Sequence, residues 1–303
     1  MGEWSTIVPV SPGYYDPPHL FATGIQFGHG LTLGSVPEWV KGKQITRDLS
    51  VRQREYAVGE ATGAFVATYD ADSLGDPDPT WKGDEPRGKQ DVALERILLS
   101  NLALWIAKPS RIGGELYIHA HFTNGEHILR QTSSVLGVIP HERDAENVLD
   151  AGDFDTARKL YDAILALERT EAPWVACKTL LTAISAREWE VRFLLLWIAL
   201  EALFGSDSEV TYRLSQRVAF FNAADRVEAK TVFETAKRAY HWRSRVVHGL
   251  QIRKLRREES SDVLYDTENI LRRSMAKLLS DQAIVEKFSE KNRDDYLDGL
   301  MFA

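Results

Sequence analysis

The chain has 303 residues, enough for one large domain or two modest ones. Apolar residues make up 44% and charged residues 27%, an ordinary globular balance, and the net charge of −7 argues against an all-over basic nucleic-acid binder. The single cysteine, Cys177, excludes an intramolecular disulfide and a four-cysteine zinc site and suits a reducing cytoplasm.

The opening residues, MGEWSTIVPVSPGYY, have neither a basic start nor an apolar core of signal-peptide length. Pro9, Pro12, Pro17, Pro18 and Pro37, with many glycines, predict loops and a few short strands over the first 46 residues. A helix is expected from about Asp48 to Tyr69, followed by an acidic, proline- and glycine-rich surface loop from Asp70 to Lys89. Val92, Ile97, Leu98, Leu102 and Trp105 give an apolar face to a second helix from about Gln90 to Ala107, which Pro109 stops. The segment ELYIHAHF, the turn Asn124-Gly125 and the segment HILRQTSSVLGVI together read as a β-hairpin.

From Glu142 onward the pattern is helical. Asp153 reads as the N-cap of a helix from Thr156 to Glu168, and Pro173 opens an apolar-rich run that extends to Phe204 and closes at Gly205. Its most apolar part, Phe193 to Phe204, contains Glu201 and is far shorter than the roughly 20 residues a membrane span needs, so it reads as a buried core helix. Further helices are expected over about Thr211–Asn222, Arg226–His248 and Ser261–Leu279, with one or two short ones in the tail. These readings predict a mainly α protein: residues 1 to about 140 form a region of loops, two helices and a hairpin, and 141 to 303 form a helical domain.

Charge is distributed unevenly. Between Glu234 and Glu258 there is no acidic residue, while Lys237, Arg238, Arg243, Arg245, Arg253, Lys254, Arg256 and Arg257 are all basic. Such a block can contact a phosphate backbone, or it can be a solvated helix face running into a basic loop. Within it AYHWRSRVVHG places Arg243 and His248 in an Arg-x4-His arrangement. Residues five apart on a straight helix point about 140° apart, so a shared site needs a loosened last turn or a second subunit. His241, Arg245 and His248 follow i, i+4, i+7 spacing and share a face, so either arginine can partner His248. A histidine can exchange a proton with a 2′-hydroxyl or a 5′-leaving oxygen near neutral pH, and an arginine can hold the charge that grows on phosphorus oxygens. The simpler reading is that His248 caps its helix and Arg243 is a surface charge.

Three segments in order, FLLLWIALEALFG with Glu201, YRLSQRVAFF with Arg213 and Arg217, and AYHWRSRVVHG, resemble the HEPN superfamily, most closely its ApeA-like branch. The resemblance covers roughly Asp153 to Leu279. It implies an up-and-down helical bundle that pairs as a homodimer, and in many members a metal-independent ribonuclease of toxin–antitoxin, anti-phage or RNA-processing systems. On that motif match Arg243 and His248 are the functional pair, and no cofactor or metal is implied. Glu201 would orient an arginine or line the cleft, or pair structurally with Arg217 or, in a purely structural dimer, with Arg243; Arg245 and His241 are supporting candidates. Lys237, Arg238, Arg253, Lys254, Arg256 and Arg257 are the candidate RNA or phosphate contacts. Two departures stand out: Ser244 follows Arg243, and no tyrosine stands two after His248. The family also contains non-catalytic modules that bind nucleotide, RNA or a regulatory protein partner, which is the alternative reading.

Other signals are weaker. Gly83 to Gln90 imitates a phosphate loop, but Gln90 lacks the magnesium-binding hydroxyl and Asp84 and Glu85 repel phosphate. His119 and His121, with His127 or His141, have zinc-ligand chemistry but read first as ordinary strand residues. Cys177 sits in an apolar helical pattern as a packing residue.

Overall fold

A computed structural model describes residues 3–10, 24–70, 89–112, 114–135, 137–205, 210–247, 257–289 and 291–301. The chain forms two compact units, Met1–Asp162 and Ala163–Ala303.

The first unit corrects the mainly α expectation. It is built on a six-stranded antiparallel sheet of β1 (Glu3–Val10), β2 (Ile25–Gly28), β3 (Leu31–Gly34), β4 (Gly63–Asp70), β5 (Leu116–Thr123) and β6 (Glu126–Ser134), in the order β2-β3-β4-β1-β5-β6. The helix expected over 48–69 is only a capped turn, Val51–Arg54, and a wide turn, Glu55–Glu60, after which the chain enters β4. Gly59 and Gly63 weaken helix there, and the aromatic and β-branched run Phe65, Val66, Thr68 and Tyr69 suits a strand that finds β1 on one side and β3 on the other. β1 itself lies mid-sheet despite Pro9, because β5 pairs with β1 only from Trp4 to Ile7 and leaves one side of Pro9 without a ladder partner. The hairpin at Asn124-Gly125 does form, with both turn residues at positive φ (52° and 85°), and it supplies the β5–β6 end of the sheet.

Alternation sorts the sheet residues onto two faces. Ile7, Ala64, Leu116, Ile118 and Ala120 bury one face against Val40, Ile45, Leu49 and Tyr56 from the short helical turns between β3 and β4. The other face is crossed by α1 (Lys89–Ala107), which packs on β4 and β1. α2 (Ala151–Leu165) adds Tyr161, edge-on to Phe27 at 5.9 Å. The cap of α2 is Asp150 rather than the expected Asp153: Asp150 Oδ1 accepts from the Gly152 and Asp153 amides, and Asp153 Oδ2 accepts in return from the Asp150 amide. The earlier aspartate wins because the later one can reciprocate from the third helical position.

The α1-side face carries an unusual polar group. His119 Nδ1 lies 2.9 Å from Thr6 Oγ1 and 3.2 Å from Tyr69 Oη, with the Trp4 ring stacked on both His119 and His121. His119 is 5% exposed, and burial lowers its pKa to about 4 against a smaller opposing effect of Asp91. The ring is therefore neutral in the folded protein at pH 7, and an unfolded chain binds a proton there that the folded one refuses. Stability is accordingly complete above the ordinary value near 6.5 and falls as pH drops from 6.5 towards 4, by up to about 3 kcal/mol. Urea unfolding of wild type and His119→Gln across that window should show a clearly smaller pH slope in the variant.

The second unit is helical: α3 (Ala172–Ser185), α4 (Trp189–Phe204), α5 (Val210–Asn222), α6 (Arg226–Val247), α7 (Arg257–Leu279), α8 (Gln282–Lys287) and α9 (Arg293–Gly299). The apolar run opened by Pro173 is split at 186–188 into α3 and α4, which pack along each other. α5 and α6 pair in the same way, and α7 contacts α4, α5 and α6. Gly205 ends α4 without a left-handed backbone; it is needed because a Cβ there would collide with the Glu201 carbonyl. Cys177 is fully buried in α3, and burial pushes its thiol up to about 12, so it is a packing residue without thiolate character. No described helix is long and apolar enough to cross a membrane.

Two buried arginines fix this unit. Arg192 Nε of α4 donates to Glu268 Oε1 of α7 at 2.6 Å, with both side chains at or below 5% exposure. Arg217 of α5 is also buried and reaches the tail. Removing one member of a buried pair leaves the other charge in the core, which costs about 3–5 kcal/mol. Glu268→Ala should therefore destabilise the helical unit by that order in chemical denaturation, while Arg192→Met/Glu268→Leu recovers most of the loss.

Candidate functional site

The Arg-x4-His hypothesis centres on the end of α6. Arg243 points at α4, where Nη2 donates to Glu201 Oε2 at 3.0 Å, and both side chains are 26% exposed. Glu201 thus has the partner that a carboxylate in an apolar helix requires. Three residues before Arg243, Tyr240 occupies the same side of α6. Its ring lies 5.7 Å from the Arg243 guanidinium carbon and meets Trp197 edge to face at 5.2 Å. Burial first, then the Glu201 charge, raise the Tyr240 pKa, so the phenol stays protonated and faces the carboxylate as a donor. The indole N–H of Trp197 is buried with no hydrogen-bond partner.

Glu201 and Arg243 are therefore brought together, whereas other sequence candidates go elsewhere. Arg217, considered as a partner of Glu201, binds Asp298, Asp294 and the Gly205 carbonyl instead. α5 aims it at the tail helix α9, whose two aspartates lie i, i+4 on one face. His241 and Arg245 are on the exposed side of α6 and flank Trp242: Arg245 stacks 5.0 Å over its ring and His241 meets it edge-on at 6.3 Å. Arg238 pairs with Asp266 of α7 at 2.7 Å, and Lys237 stands over the Phe233 ring. Arg257 is the first residue of α7. His248, Arg253, Lys254 and Arg256, with most of the phosphate-loop imitation at 83–90, lie outside the described residues.

Among the sheet histidines, His119 and His121 stack on Trp4 and His127 stacks on Trp39 at 3.9 Å, while His141, beyond the sheet, caps a short turn by accepting from the Arg143 amide. No group of three or more candidate metal ligands occurs among the described residues. Tyr240 was missed as a member of the Arg243 cluster; its position three before Arg243 on one helix face was the available signal. Nothing in the sequence signalled Trp197 as the wall behind it.

An exchange of Glu201 and Arg243 for alanine, singly and together, should give a coupling energy of about 0.5–1 kcal/mol in urea unfolding, the range of a partly exposed ion pair. A coupling near zero would mean that the pair is not held in solution. No family model, curated relative or solved structure matches the chain.

Proposed function

We propose that the chain is a metal-independent RNA endonuclease of HEPN type that acts as a homodimer, with Arg243 and His248 as its working pair. The observation that carries the reading is the fixed position of Arg243: Glu201 and the Tyr240 ring hold its guanidinium at the end of a long helix while leaving it partly open to solvent. A preset cation of this kind stabilises charge at little reorganisation cost when a phosphoryl group becomes pentacoordinate. In this reaction the 2′-oxygen attacks the adjacent phosphorus, the bond to the 5′-oxygen breaks, and a 2′,3′-cyclic phosphate and a 5′-hydroxyl result. His248 takes the proton from the 2′-hydroxyl or delivers one to the 5′-oxygen, and its counterpart in the second subunit can serve the other step. Arg245, on the exposed side of the same helix end, and the basic run Arg253 to Arg257 are placed in sequence to hold the backbone.

A second reading is favoured by the same ion pair: Glu201 already neutralises Arg243, which suits a non-catalytic module that binds RNA, a nucleotide or a protein partner. The two separate in one assay. Labelled single-stranded RNA in excess EDTA, incubated with wild type, Arg243→Ala and His248→Ala, should yield fragments ending in 2′,3′-cyclic phosphate from wild type, with each variant slower by roughly 10²–10⁴-fold. Equal cleavage by all three would remove the pair from the reaction, and RNA binding without cleavage would favour the non-catalytic module.

A further inference from the structure

The helical unit contains a cavity of about 410 Å³ between α5, the first half of α6 and Met301. This is within the size range of small-ligand sites. One part of its lining is aromatic: Tyr212 of α5 and Phe233 of α6 meet edge to face with centroids 5.5 Å apart, and Phe220 contributes beside them. Another part is cationic, with Arg226 and Lys230 both on the lining. Arg226, Lys230, Phe233 and Lys237 recur at i, i+4, i+7 and i+11, which lays them in one stripe along α6. Lys237 closes the stripe, its Nζ 5.8 Å from the Phe233 ring centroid.

Among the described residues the charge of this cavity has no acidic counterpart on its lining. No aspartate or glutamate lines it, and neither Arg226 nor Lys230 has an ion-pair partner among the described residues. The acidic residues nearest in sequence are engaged elsewhere. Asp225 accepts from the Val227 and Glu228 amides, and Glu228 accepts from Arg273 and from the Ala224 amide. Two cations with no ion-pair partner among the described residues, beside the exposed Tyr212 ring and the half-buried Phe233 ring, suit a guest that is planar at one end and anionic at the other. A bare anion would leave the rings unused, and a purely apolar guest would leave the cations facing one another.

We infer that this cavity binds a nucleotide unit, with the base against Tyr212 and Phe233 and the phosphate on Arg226 and Lys230. Gln216, on the same lining, offers an amide to the edge of the base. The occupant is a free mononucleotide or one unit of a single strand, since both present the same ring and phosphate. The inference uses none of Glu201, Arg243 or His248, and its readout is binding, so failure of the cleavage assay and failure of this site are separate results.

The test is titration of the full chain with AMP, GMP, CMP and UMP, with adenosine, with inorganic phosphate, and with a short labelled oligouridylate, followed by calorimetry or anisotropy. Lys230→Glu and Tyr212→Ala are the informative variants, because both side chains are exposed and melting curves should match wild type. Each substitution should weaken binding by about tenfold or more, the scale of one charged phosphate contact or one stacked base. Adenosine and phosphate alone should bind much more weakly than the monophosphates. Variant-sensitive binding of a monophosphate identifies the free nucleotide; variant-sensitive binding of the oligonucleotide alone identifies the strand. The inference is overturned if neither binds, if both bind equally well to the variants, or if phosphate binds as tightly as AMP.

Discussion

In the helical unit, one buried cation ties together the end of α4, the middle of α5 and α9. Arg217 is 1% exposed, and a guanidinium in that position must have its donors satisfied or it would not stay charged and buried. Nη1 donates to the Gly205 carbonyl at 2.6 Å and to Asp294 at 3.1 Å, and Nε donates to Asp298 at 3.0 Å. The Gly205 carbonyl is one that the end of α4 leaves without a helical partner, so Arg217 also acts as a cap. Phe204 of α4, Phe221 of α5, Phe288 and Tyr296 of α9 join the same elements in a series of edge and tilted ring contacts. Arg293 adds a bond from the tail to the Ala202 carbonyl at 2.8 Å.

That constraint bears directly on the candidate site. Glu201 lies on the last turn of α4, four residues before Gly205, so the bridge that anchors the helix end also sets where the carboxylate stands. α7 holds the other end of α4 through Arg192 and Glu268. Between these two anchors the apolar helix can present a single carboxylate to α6, and Arg243 meets it. The division of labour among arginines is then physical: Arg192 and Arg217 are fully buried and paired within the scaffold, whereas Arg243 is paired but still reachable from solvent.

The sheet unit solves a different problem. Its inner histidine is kept neutral by burial and is tolerated because two hydroxyls lie within hydrogen-bond distance of its Nδ1 beside the stacked Trp4 ring. The opposite face is largely apolar and is packed by short turns. Short strands broken by prolines and glycines leave little periodicity, which explains why the first 46 residues read as loops with a few short strands.

The sequence by itself determined most of the helical unit, because the 3.6-residue pattern, Pro173 and Gly205 are local signals that need no distant partner. It determined the Asn124-Gly125 hairpin for the same reason, since both turn residues tolerate positive φ. It also placed Glu201 and Arg243 among the residues worth joining. Only the tertiary structure decided that they join each other, and that Arg217 turns instead to Asp294 and Asp298, some 80 residues away in the chain. It likewise decided that 63–70 is a strand, because a segment with mixed propensity takes the form its neighbours can pair with, and β1 and β3 come from far along the chain. Charge choice and strand pairing are non-local, and no window of the sequence contains both partners.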